Sequence, residues 1–239
     1  MDIFFQLLSI FAAGCLIGWV IEFFFRRIVH KKWINPGFLT GPCLPLYGSG
    51  LTGLFLLCRI DVSFIENNVL KVIVVIFVMT VTMTLIEYIT GLFFLKVMNV
   101  RLWDYRDRKW NIDGLICPLF SLAWGAIGAL YYFILDPVIL DLSSKASSDI
   151  GVIFALGMFL GIFVIDLCYS FHVVTKIRKW ALDNNIEVKY ETLKENIREK
   201  AGQLKHKQSF IFPFVTKADF SEMLEHYKKN FESRIKKIK

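Results

Sequence analysis

The fold of this chain is organised around one Gly/Pro-rich stretch, which reads Asn35-Pro36-Gly37-Phe38-Leu39-Thr40-Gly41-Pro42-Cys43-Leu44-Pro45-Leu46-Tyr47-Gly48-Ser49-Gly50. It holds three of the six prolines and four of the fifteen glycines. Gly and Pro at this density indicate tight, non-helical backbone. Apolar segments flank the stretch, and within a membrane such backbone is tolerated only where protein or a water-filled cavity satisfies its polar groups. We therefore interpret it as a site-forming, partly re-entrant loop.

The composition places the chain in a lipid bilayer. The hydrophobic fraction is 55%, the mean hydropathy is +0.52 and there are 23 Phe, far more than the core of a soluble domain of this length needs. The apolar blocks match a hydrocarbon core about 30 Å thick. The first block lacks the cleavage pattern of a signal peptide, so we interpret it as a retained span. We predict an all-α, polytopic α-helical membrane protein with about five transmembrane helices, at about 3–25, 44–57, 70–95, 114–135 and 150–174.

The basic charge is concentrated in the C-terminal segment. Residues 175–239 contain 16 Lys or Arg and 9 Asp or Glu, and this excess equals the net charge of +7 of the whole chain. The predicted domains are therefore a transmembrane domain, residues 1–174, and a basic cytoplasmic helical tail, residues 175–239. The charge of the tail suits an anionic membrane surface or an acidic partner. The lack of an aromatic–basic recognition motif argues against nucleic acid as a partner.

The connections after the first and third spans are basic, which gives the predicted orientation. The first begins with Arg26 and Arg27, and the second runs from Lys96 to Trp110. By the positive-inside rule both connections are cytoplasmic, so we predict an N-terminus outside the cell membrane and a C-terminus in the cytoplasm. Residues 136–149 are then predicted to form an external loop.

The first span carries a small-residue face that leads to a glutamate. Gly14, Gly18, Glu22 and Arg26 follow one another at intervals of four residues and so share one face of a helix. The two glycines let another helix approach closely, and Glu22 then points into that interface. Two interpretations stay open. Glu22 pairs with Arg26 and reaches the headgroups, or it belongs to a functional site.

The third span carries a polar stripe formed by Thr80, Thr84, Glu87 and Gly91. Glu87 lies nine residues before Lys96. That interval corresponds to about 13 Å of helix, so its carboxylate cannot simply extend to the headgroups. An ionisable residue at this depth is a candidate functional residue, and Glu87 is the strongest one in the chain.

The predicted orientation puts several polar groups in the cytoplasmic half of the membrane. Asp166 lies there on the fifth span, which also has a small-residue face at Gly157 and Gly161. We expect a polar cavity open to the cytoplasm, or else a set of polar helix-packing residues without a ligand. Arginines are the candidate charge partners of the buried carboxylates. The cavity residues on this prediction are Glu22, Glu87, Asp166, Asn35, Asn111 and Asp113, and the arginines are Arg26, Arg101 and Arg106.

The sequence pattern of spans one and two occurs again in spans three and four. Each pair has a Glu on the first helix, then a basic connection, then an Asn shortly before a Gly. Gly37 to Gly48 and Gly114 to Gly125 both span eleven residues, and the offset between them is 77. In this frame Asn35 corresponds to Asn111, and Tyr47-Gly48 to Trp124-Gly125. We interpret residues 11–58 and 76–135 as a parallel internal repeat, with a site where the copies meet.

The tail and the cysteines give weaker signals. Glu and Lys alternate at helical spacing over residues 186–207, which predicts a solvated helix with ion pairs. An apolar patch follows at 209–215, and an apolar stripe on a basic helix is predicted to lie in the membrane interface. That stripe consists of Phe220, Met223, Leu224, Tyr227 and Phe231. The five cysteines show neither zinc spacing nor a disulfide framework, so we expect buried, reduced thiols and no metal site.

Several motifs, in one order, resemble those of the putative ABC-transporter type IV, or CmpB-like, family of bacterial membrane proteins. They are Gly18-Trp19-x-x-Glu22, the 35–50 stretch, Trp103-Asp104-Tyr105, and Asn111-x-x-Gly114-x-Ile116-Cys117 with Ser121-x-x-Trp124-Gly125. The resemblance covers about residues 11–128. The family commonly has Arg where this chain has Pro36. The resemblance implies a multi-pass permease of a bacterial cell membrane. The chain has no G-x-x-x-x-G-K-[ST] motif, so any ATPase is a separate subunit.

Three functions follow from these patterns. The first is a permease-like or transport-associated protein with no cofactor, whose partners are the bilayer, a separate ATPase or other cytoplasmic partner bound through the tail, and a second copy. The second is an enzyme that acts on a lipid headgroup or lipid-linked substrate, with Glu87 or Glu22 as general base. The third is a non-catalytic membrane regulator. The candidate ligand-binding residues are Glu22, Asn35, Gly37, Gly41, Pro42, Tyr47, Glu87, Trp103, Asp104, Tyr105, Asn111, Ser121, Trp124 and Asp166.

Overall fold

The chain folds into a nearly all-helical protein, seen here in a computed structural model that describes residues 2–31, 33–184, 186–203 and 224–230. Two strands of two residues each and two π-helical turns interrupt the helices. In order, the elements are α1 (Asp2–His30), α2 (Pro45–Leu57), α3 (Asn68–Leu92) with a π-turn (Phe93–Val97), β1 (Val100–Arg101), α4 (Pro118–Leu130) with a π-turn (Tyr131–Leu135), α5 (Asp136–Ser148), α6 (Ile150–Asp183), β2 (Val188–Lys189) and α7 (Tyr190–Gln203). Residues 224–230 are also helical.

Four helical stretches in the described ranges are long and apolar enough to cross a membrane: Ile3–Val29, Asn68–Val97, Pro118–Ser148 and Ile150–Asp183. The all-α membrane class predicted from the sequence is therefore confirmed. The predicted second span matches α2, which has only 13 residues. At about 1.5 Å per residue α2 is roughly 20 Å long, shorter than the hydrocarbon core. The count of five spans and the internal repeat stay predictions.

Glycines let α1 and α2 cross at close range. A Cβ on Gly18 would lie 2.4 Å from the Cβ of Tyr47, and one on Gly48 would lie 2.6 Å from the carbonyl oxygen of Phe11. A Cβ on Gly14 would lie 2.9 Å from the Cα of Gly48. The predicted small-residue face of the first span is thus the surface on which α2 packs.

The Gly/Pro-rich loop folds back along α1. The Leu44 N–H donates to the carbonyl of Cys15 at 3.1 Å. Cys15 lies about 22 Å before the end of α1, because fifteen residues separate it from His30 at about 1.5 Å each. α2 begins at this depth, which explains its short length. The turn that starts the return needs Gly37, since its φ is +76° and a Cβ there would lie 2.3 Å from Leu44 Cδ2.

We call α1 and α2 with the loop between them the first half, and α3 and α4 with the loop between them the second half, whose loop is longer. Trp103 and Leu115 lie against Gly91 of α3, where a Cβ would meet them at 3.1 Å and 2.9 Å. Gly114, which lies 77 residues after Gly37, also has a positive φ, +67°. α4 begins at Pro118, not near Gly114 as predicted, because residues 112–116 form an isolated antiparallel bridge. The second loop therefore also folds back along the helix that precedes it.

The predicted external loop over residues 136–149 is wrong. Residues 136–148 form α5, which continues the α4 helix through a π-turn. Ser143 and Ser147, one helical turn apart, are buried, and Gln6 of α1 donates to Ser143 at 3.0 Å. Small polar side chains gave the segment the composition of a loop, but here they form a helix-packing face.

Among the described residues, nothing packs on the two glycines of the small-residue face of α6. A Cβ on Gly157 or Gly161 would meet nothing within 4 Å. The helix itself runs to Asp183 without a break at residue 174, where the tail was predicted to begin. Cys168 is exposed on α6, so the expectation that all the cysteines are buried is wrong for this residue.

The described part of the tail is folded against the transmembrane domain, so the expectation of a solvated helix over 186–207 is wrong. β2 pairs in parallel with β1, with Val100 opposite Val188. Leu193 and Ile197 of α7 are at most 1% exposed. Leu224 and Tyr227 of the predicted interfacial stripe pack into the same apolar cluster as Val174 and Ile177 of α6. The patch at 209–215 and the rest of the stripe lie outside the described residues.

Candidate functional site

Glu22 lies where α1 meets α2 and is neutralised by a neighbour. Its carboxylate accepts from the Tyr47 hydroxyl at 2.9 Å and from Arg26 Nε at 3.0 Å. Arg26 also reaches Glu191 of α7 at 2.5 Å. The side chain of Glu22 is 20% exposed. The structure thus shows the predicted pair with Arg26 and the contact with α2, and a role of Glu22 in a functional site stays a prediction.

Glu87 lies in the corresponding place between α3 and α4, and it is buried with 5% exposure. It accepts from Tyr105 Oη at 3.1 Å and from Trp124 Nε1 at 3.0 Å. Tyr105 is held in place by Phe120 of α4, with ring centroids 4.3 Å apart in a stacked arrangement. Among the described residues no Lys, Arg or His forms an ion pair with Glu87. The donors to Glu87 in the described part of the chain, Tyr105 and Trp124, are both neutral.

The two glutamates belong to one neighbourhood. Tyr47, which donates to Glu22, lies within electrostatic range of Glu87. Tyr105, which donates to Glu87, lies within electrostatic range of both Glu22 and Tyr47. The contact between α2 and α3 brings the two halves together. Glu22 with Tyr47 and Glu87 with Tyr105 thus lie on either side of the boundary between the halves, close enough to interact electrostatically.

Asp166 holds the first loop in place from α6. Its carboxylate accepts from the Thr40 N–H at 3.0 Å, from the Gly41 N–H at 2.9 Å and from the Thr40 hydroxyl. The Ser170 hydroxyl donates to the same carboxylate at 3.1 Å. A carboxylate with four donors is fully engaged, so in this structure Asp166 positions the loop.

Asn35 fixes the start of the same loop. Trp19 Nε1 donates to its side-chain oxygen at 2.6 Å, and its Nδ2 donates to the carbonyl of Thr40 at 2.7 Å. This contact explains the spacing of the Gly18-Trp19-x-x-Glu22 motif, because Trp19 reaches the loop while Gly18 and Glu22 face α2. Gly37 and Gly41 supply close backbone approach, and Pro42 is exposed.

The remaining candidates hold the second loop together. Trp103 Nε1 donates to the carbonyl of Leu115 at 2.8 Å, and the Asn111 amide bonds the backbone of Arg108 and Gly114 at 2.7 Å and 3.0 Å. Asp104 faces the tail, where it pairs with Lys189 at 2.6 Å. Ser121 is half-buried in the first turn of α4. The structure does not bring Asn111, Asp104 or Pro42 to the two glutamates.

Of the predicted arginine partners, only Arg26 pairs with a carboxylate of the expected cavity. Arg101 and Arg106 both pair with Glu187 instead, at 2.9 Å and 3.4 Å. Arg101 also donates to the carbonyl of Asp113 at 2.9 Å, and Asp113 accepts from the Tyr88 hydroxyl at 2.9 Å. The expectation that these two arginines neutralise the buried carboxylates is therefore wrong.

Sequence reasoning missed the contribution of α7. Lys194 is buried and donates to the carbonyls of Asn35 at 3.1 Å and Gly37 at 2.6 Å. Tyr190 Oη donates to the carbonyl of Phe38 at 3.0 Å. A signal was present, because Tyr190, Leu193 and Ile197 mark an apolar helix face next to Lys194. The alternation of Glu and Lys concealed it.

Of three comparisons with known proteins, one decides the family of this chain. The model of the family described as putative ABC-transporter type IV matches residues 9–171, more than half of the chain. The chain belongs to this family. The match to the type IV family covers both folded-back loops, both glutamates and Asp166, and extends well past the range of 11–128 in which the motifs were found. No curated protein and no solved structure matches the chain.

The family match ends at residue 171, before the tail residues that hold the loops. Within the described residues no group of three or more His, Cys, Asp or Glu side chains is placed to hold a metal ion. The candidate site thus comprises two carboxylates, two phenols and one indole N–H, which come from α1, α2, α3, α4 and the second loop.

Proposed function

We propose that this member of the type IV family is a permease-like or transport-associated membrane component, with a polar site open to the cytoplasm and Glu87 as its ligand- or proton-handling group. The observation that carries the proposal is the charge state of the two halves. Arg26 neutralises Glu22, whereas within the described part of the chain Glu87 has Tyr105 and Trp124 as its only hydrogen-bond partners. A carboxylate at membrane depth is costly to keep without a counter-ion, so it points to a function in binding.

The surroundings of Glu87 suit a group that exchanges a ligand. Its two donors orient the carboxylate without cancelling its charge, because a phenol and an indole N–H are neutral. A proton or a cationic group of a ligand would supply the missing charge. The folded-back loops place non-helical backbone beside the site, which is how discontinuous segments form ligand sites in many transporters.

The energy source would be a separate subunit. The family name refers to ABC transporters, and the sequence has no G-x-x-x-x-G-K-[ST] phosphate-binding motif. We propose that an ATPase on the cytoplasmic side, bound through the tail, completes the transporter. The predicted orientation, with the N-terminus outside a bacterial cell membrane, belongs to this proposal.

One experiment tests the proposal with protons as the probe. The full chain is reconstituted into liposomes that contain a pH-sensitive dye, and a pH gradient is imposed. We expect proton flux above the protein-free level, and at least a tenfold loss of that flux in Glu87→Gln. Glu66→Gln is the matched control, because Glu66 is exposed in the link between α2 and α3. Wild-type flux at the protein-free level would contradict the proton-handling form of the proposal.

The same liposomes distinguish the rival functions. The Tyr105–Glu87 hydrogen bond is also a pair that general acid–base chemistry could use, which favours the lipid enzyme as the second candidate. Mass analysis of the lipids then decides, because a covalently altered headgroup that disappears in Glu87→Gln identifies an enzyme. If Glu87→Gln has no effect in cells while removal of residues 204–239 abolishes function, the protein is a regulator.

A further inference from the structure

Residues 187–194, which we call the strap, contact both halves of the transmembrane domain. The strap comprises Glu187, β2 and the first residues of α7. Its first residues contact the second half and its last residues contact the first half. Since eight residues can connect the two folded-back loops, the strap is placed to hold one loop relative to the other.

The contacts with the second half are ion pairs and the pairing of β1 with β2. Glu187 pairs with Arg101 at 2.9 Å, and Lys189 pairs with Asp104 at 2.6 Å. The backbone of Val188 and Lys189 lies beside that of Val100 and Arg101. These contacts combine several charges of opposite sign, so no single proton decides them.

The contacts with the first half depend on one buried amine. Tyr190 and Glu191 contribute a hydrogen bond to Phe38 and an ion pair to Arg26. Lys194 is 3% exposed, and its Nζ donates to two carbonyl oxygens of the first loop. Among the described residues no carboxylate lies within ion-pair distance of Lys194. The groups that accept directly from its Nζ are two backbone carbonyls.

The charged and titratable groups around Lys194 come from three helices. Arg26 of α1 repels the ammonium, while Glu191 of its own helix and Asp166 of α6 attract it. The Nζ also lies 4.8 Å from the centre of the Tyr190 ring. Arg26 is already shared by Glu22 and Glu191, and Asp166 is already engaged by Thr40, Gly41 and Ser170.

We propose that the strap is a pH-sensitive latch, in which protonation of Lys194 loosens α7 from the first loop while β1–β2 pairing keeps the strap attached to the second half. The inference concerns a contact within the chain and does not rest on what the site transports. Its failure and the failure of the proposed function are therefore separate results.

The direction in which pH changes the docking of α7 follows from the difference in the pKa of Lys194 between the docked and undocked tail. Burial, together with Arg26, lowers the pKa of Lys194 from 10.5 to about 7 in the docked tail. An undocked Lys194 regains an ordinary pKa, so above about pH 7 the docked state has lost a proton that the undocked state keeps. Docking is then favoured as the pH rises and weakened as it falls through 7. Between pH 8 and pH 6 the undocked fraction should rise about tenfold.

Hydrogen exchange of the full chain in lipid nanodiscs measures this fraction. An undocked α7 has 14 residues and is marginal as an isolated helix, so undocking exposes its amides. After correction for the intrinsic exchange rate, we expect exchange over residues 190–197 to be about tenfold faster at pH 6 than at pH 8. Residues 99–103 provide the internal reference and should show no such change.

Two variants test whether the pH dependence of exchange comes from the Lys194 amine. Lys194→Met has an uncharged side chain of similar length and should make the exchange of 190–197 independent of pH within about twofold. Lys189→Met is the matched control, because Lys189 lies in the same strap with a side chain that is 45% exposed, and it should keep the tenfold change. A wild-type ratio below twofold, or a tenfold ratio that persists in Lys194→Met, would overturn the proposal.

A second measurement covers the case in which Lys194→Met does not fold. The ¹³Cε signal of Lys194 in the wild-type protein, assigned by its loss in Lys194→Arg, reports the protonation state directly. We expect a midpoint near pH 7. A midpoint near the ordinary value of lysine would show that protonation does not change in the docked tail, and the latch would be excluded.

Discussion

Each half of the transmembrane domain holds a glutamate between its two helices, but the two glutamates differ in their charge partners. In each half an aromatic side chain of the second helix donates to a glutamate on the first helix: Tyr47 donates to Glu22, and Trp124 donates to Glu87. Arg26 then neutralises Glu22, and Tyr105 takes the corresponding place at Glu87. Glu22 has a guanidinium as its partner, and Glu87 has a phenol in the same place. Among the described residues, the carboxylate of Glu87 therefore has no ion-pair partner.

The loops of the two halves also differ in what holds them. Asp166 and Ser170 of α6 and Lys194 of α7 hold the first loop, and all of them come from the C-terminal third of the chain. The second loop is held mainly by its own residues, such as Trp103 and Asn111, and by ion pairs with the strap. The first half is therefore the one whose loop depends on distant elements. The experiments below test that difference.

The largest difference between the halves should appear when a methyl group is added at the helix crossings. In Gly48→Ala the new Cβ lies 2.6 Å from the backbone carbonyl of Phe11, which cannot move alone, so we expect a loss of about 3 kcal/mol or more. In Gly125→Ala the neighbour is the Thr80 hydroxyl at 3.0 Å, and we expect about 1 kcal/mol. Thermal unfolding in detergent measures both.

Gly157→Ala is the control for these two variants, because a Cβ there meets nothing within 4 Å. It should not lower Tm, and the better helix propensity of Ala could raise it slightly. Equal losses in Gly48→Ala and Gly125→Ala would show that the two crossings are equally tight, contrary to the comparison above.

Neutralising Asp166 should loosen the first loop only. In Asp166→Asn the amide group cannot accept from both the Thr40 and Gly41 N–H groups, and a buried donor is left unpaired. We expect a loss of about 2–3 kcal/mol and faster hydrogen exchange over residues 37–41. Asp113→Asn is the matched change in the second loop. Its side chain is exposed and bonds Tyr88, so we expect less than about 1 kcal/mol. Faster exchange over residues 103–115 in Asp166→Asn would contradict this assignment.

Removing the tyrosine hydroxyl that donates to each glutamate should lower the stability of the protein more when the glutamate is that of the second half. In Tyr105→Phe the buried Glu87 keeps Trp124 as its one donor among the described residues, and we expect the free energy of unfolding to fall by about 2 kcal/mol. Tyr47→Phe leaves Glu22 paired with Arg26, and we expect about 1 kcal/mol. Chemical denaturation of the purified variants gives the comparison. If Tyr47→Phe proved the more costly change, Arg26 would not compensate Glu22 as described.

We expect the smallest change where the strap contacts the second half, because hydrogen exchange there should not depend on pH. Burial acts to raise the pKa of Asp104, but hydrogen bonds from Arg106 and Lys189 outweigh it and hold that pKa well below its usual range. The contribution of Asp104 to stability is present above its ordinary pKa and is lost only as the pH falls through the lowered value. Exchange over residues 99–103 should therefore stay constant from pH 8 to pH 5. A loss of protection near pH 6 would mean that the latch is not confined to the first half.

Much of the site could be predicted because its signals are local. Glu22 and Glu87 stand out as carboxylates on small or polar helix faces, and Gly37 and Gly114 mark the two turns by their spacing. The partners of these groups could not be predicted. Asp166 reaches a loop 125 residues earlier in the chain, and Lys194 reaches Gly37 across 157 residues. The periodicity of a helix or strand relates residues a few positions apart, so it cannot indicate a contact between residues more than 100 positions apart.

The sequence by itself determined the membrane class, the helical segments and the two carboxylates, because hydrophobic length and helical periodicity are properties of neighbouring residues. The tertiary structure decided which of those carboxylates stays without a counter-ion, that residues 136–148 form a helix, and that the basic tail closes on both loops. Those outcomes depend on which side chains meet when distant segments pack. A buried charge is set by its partners in space, and Glu87 differs from Glu22 for that reason alone.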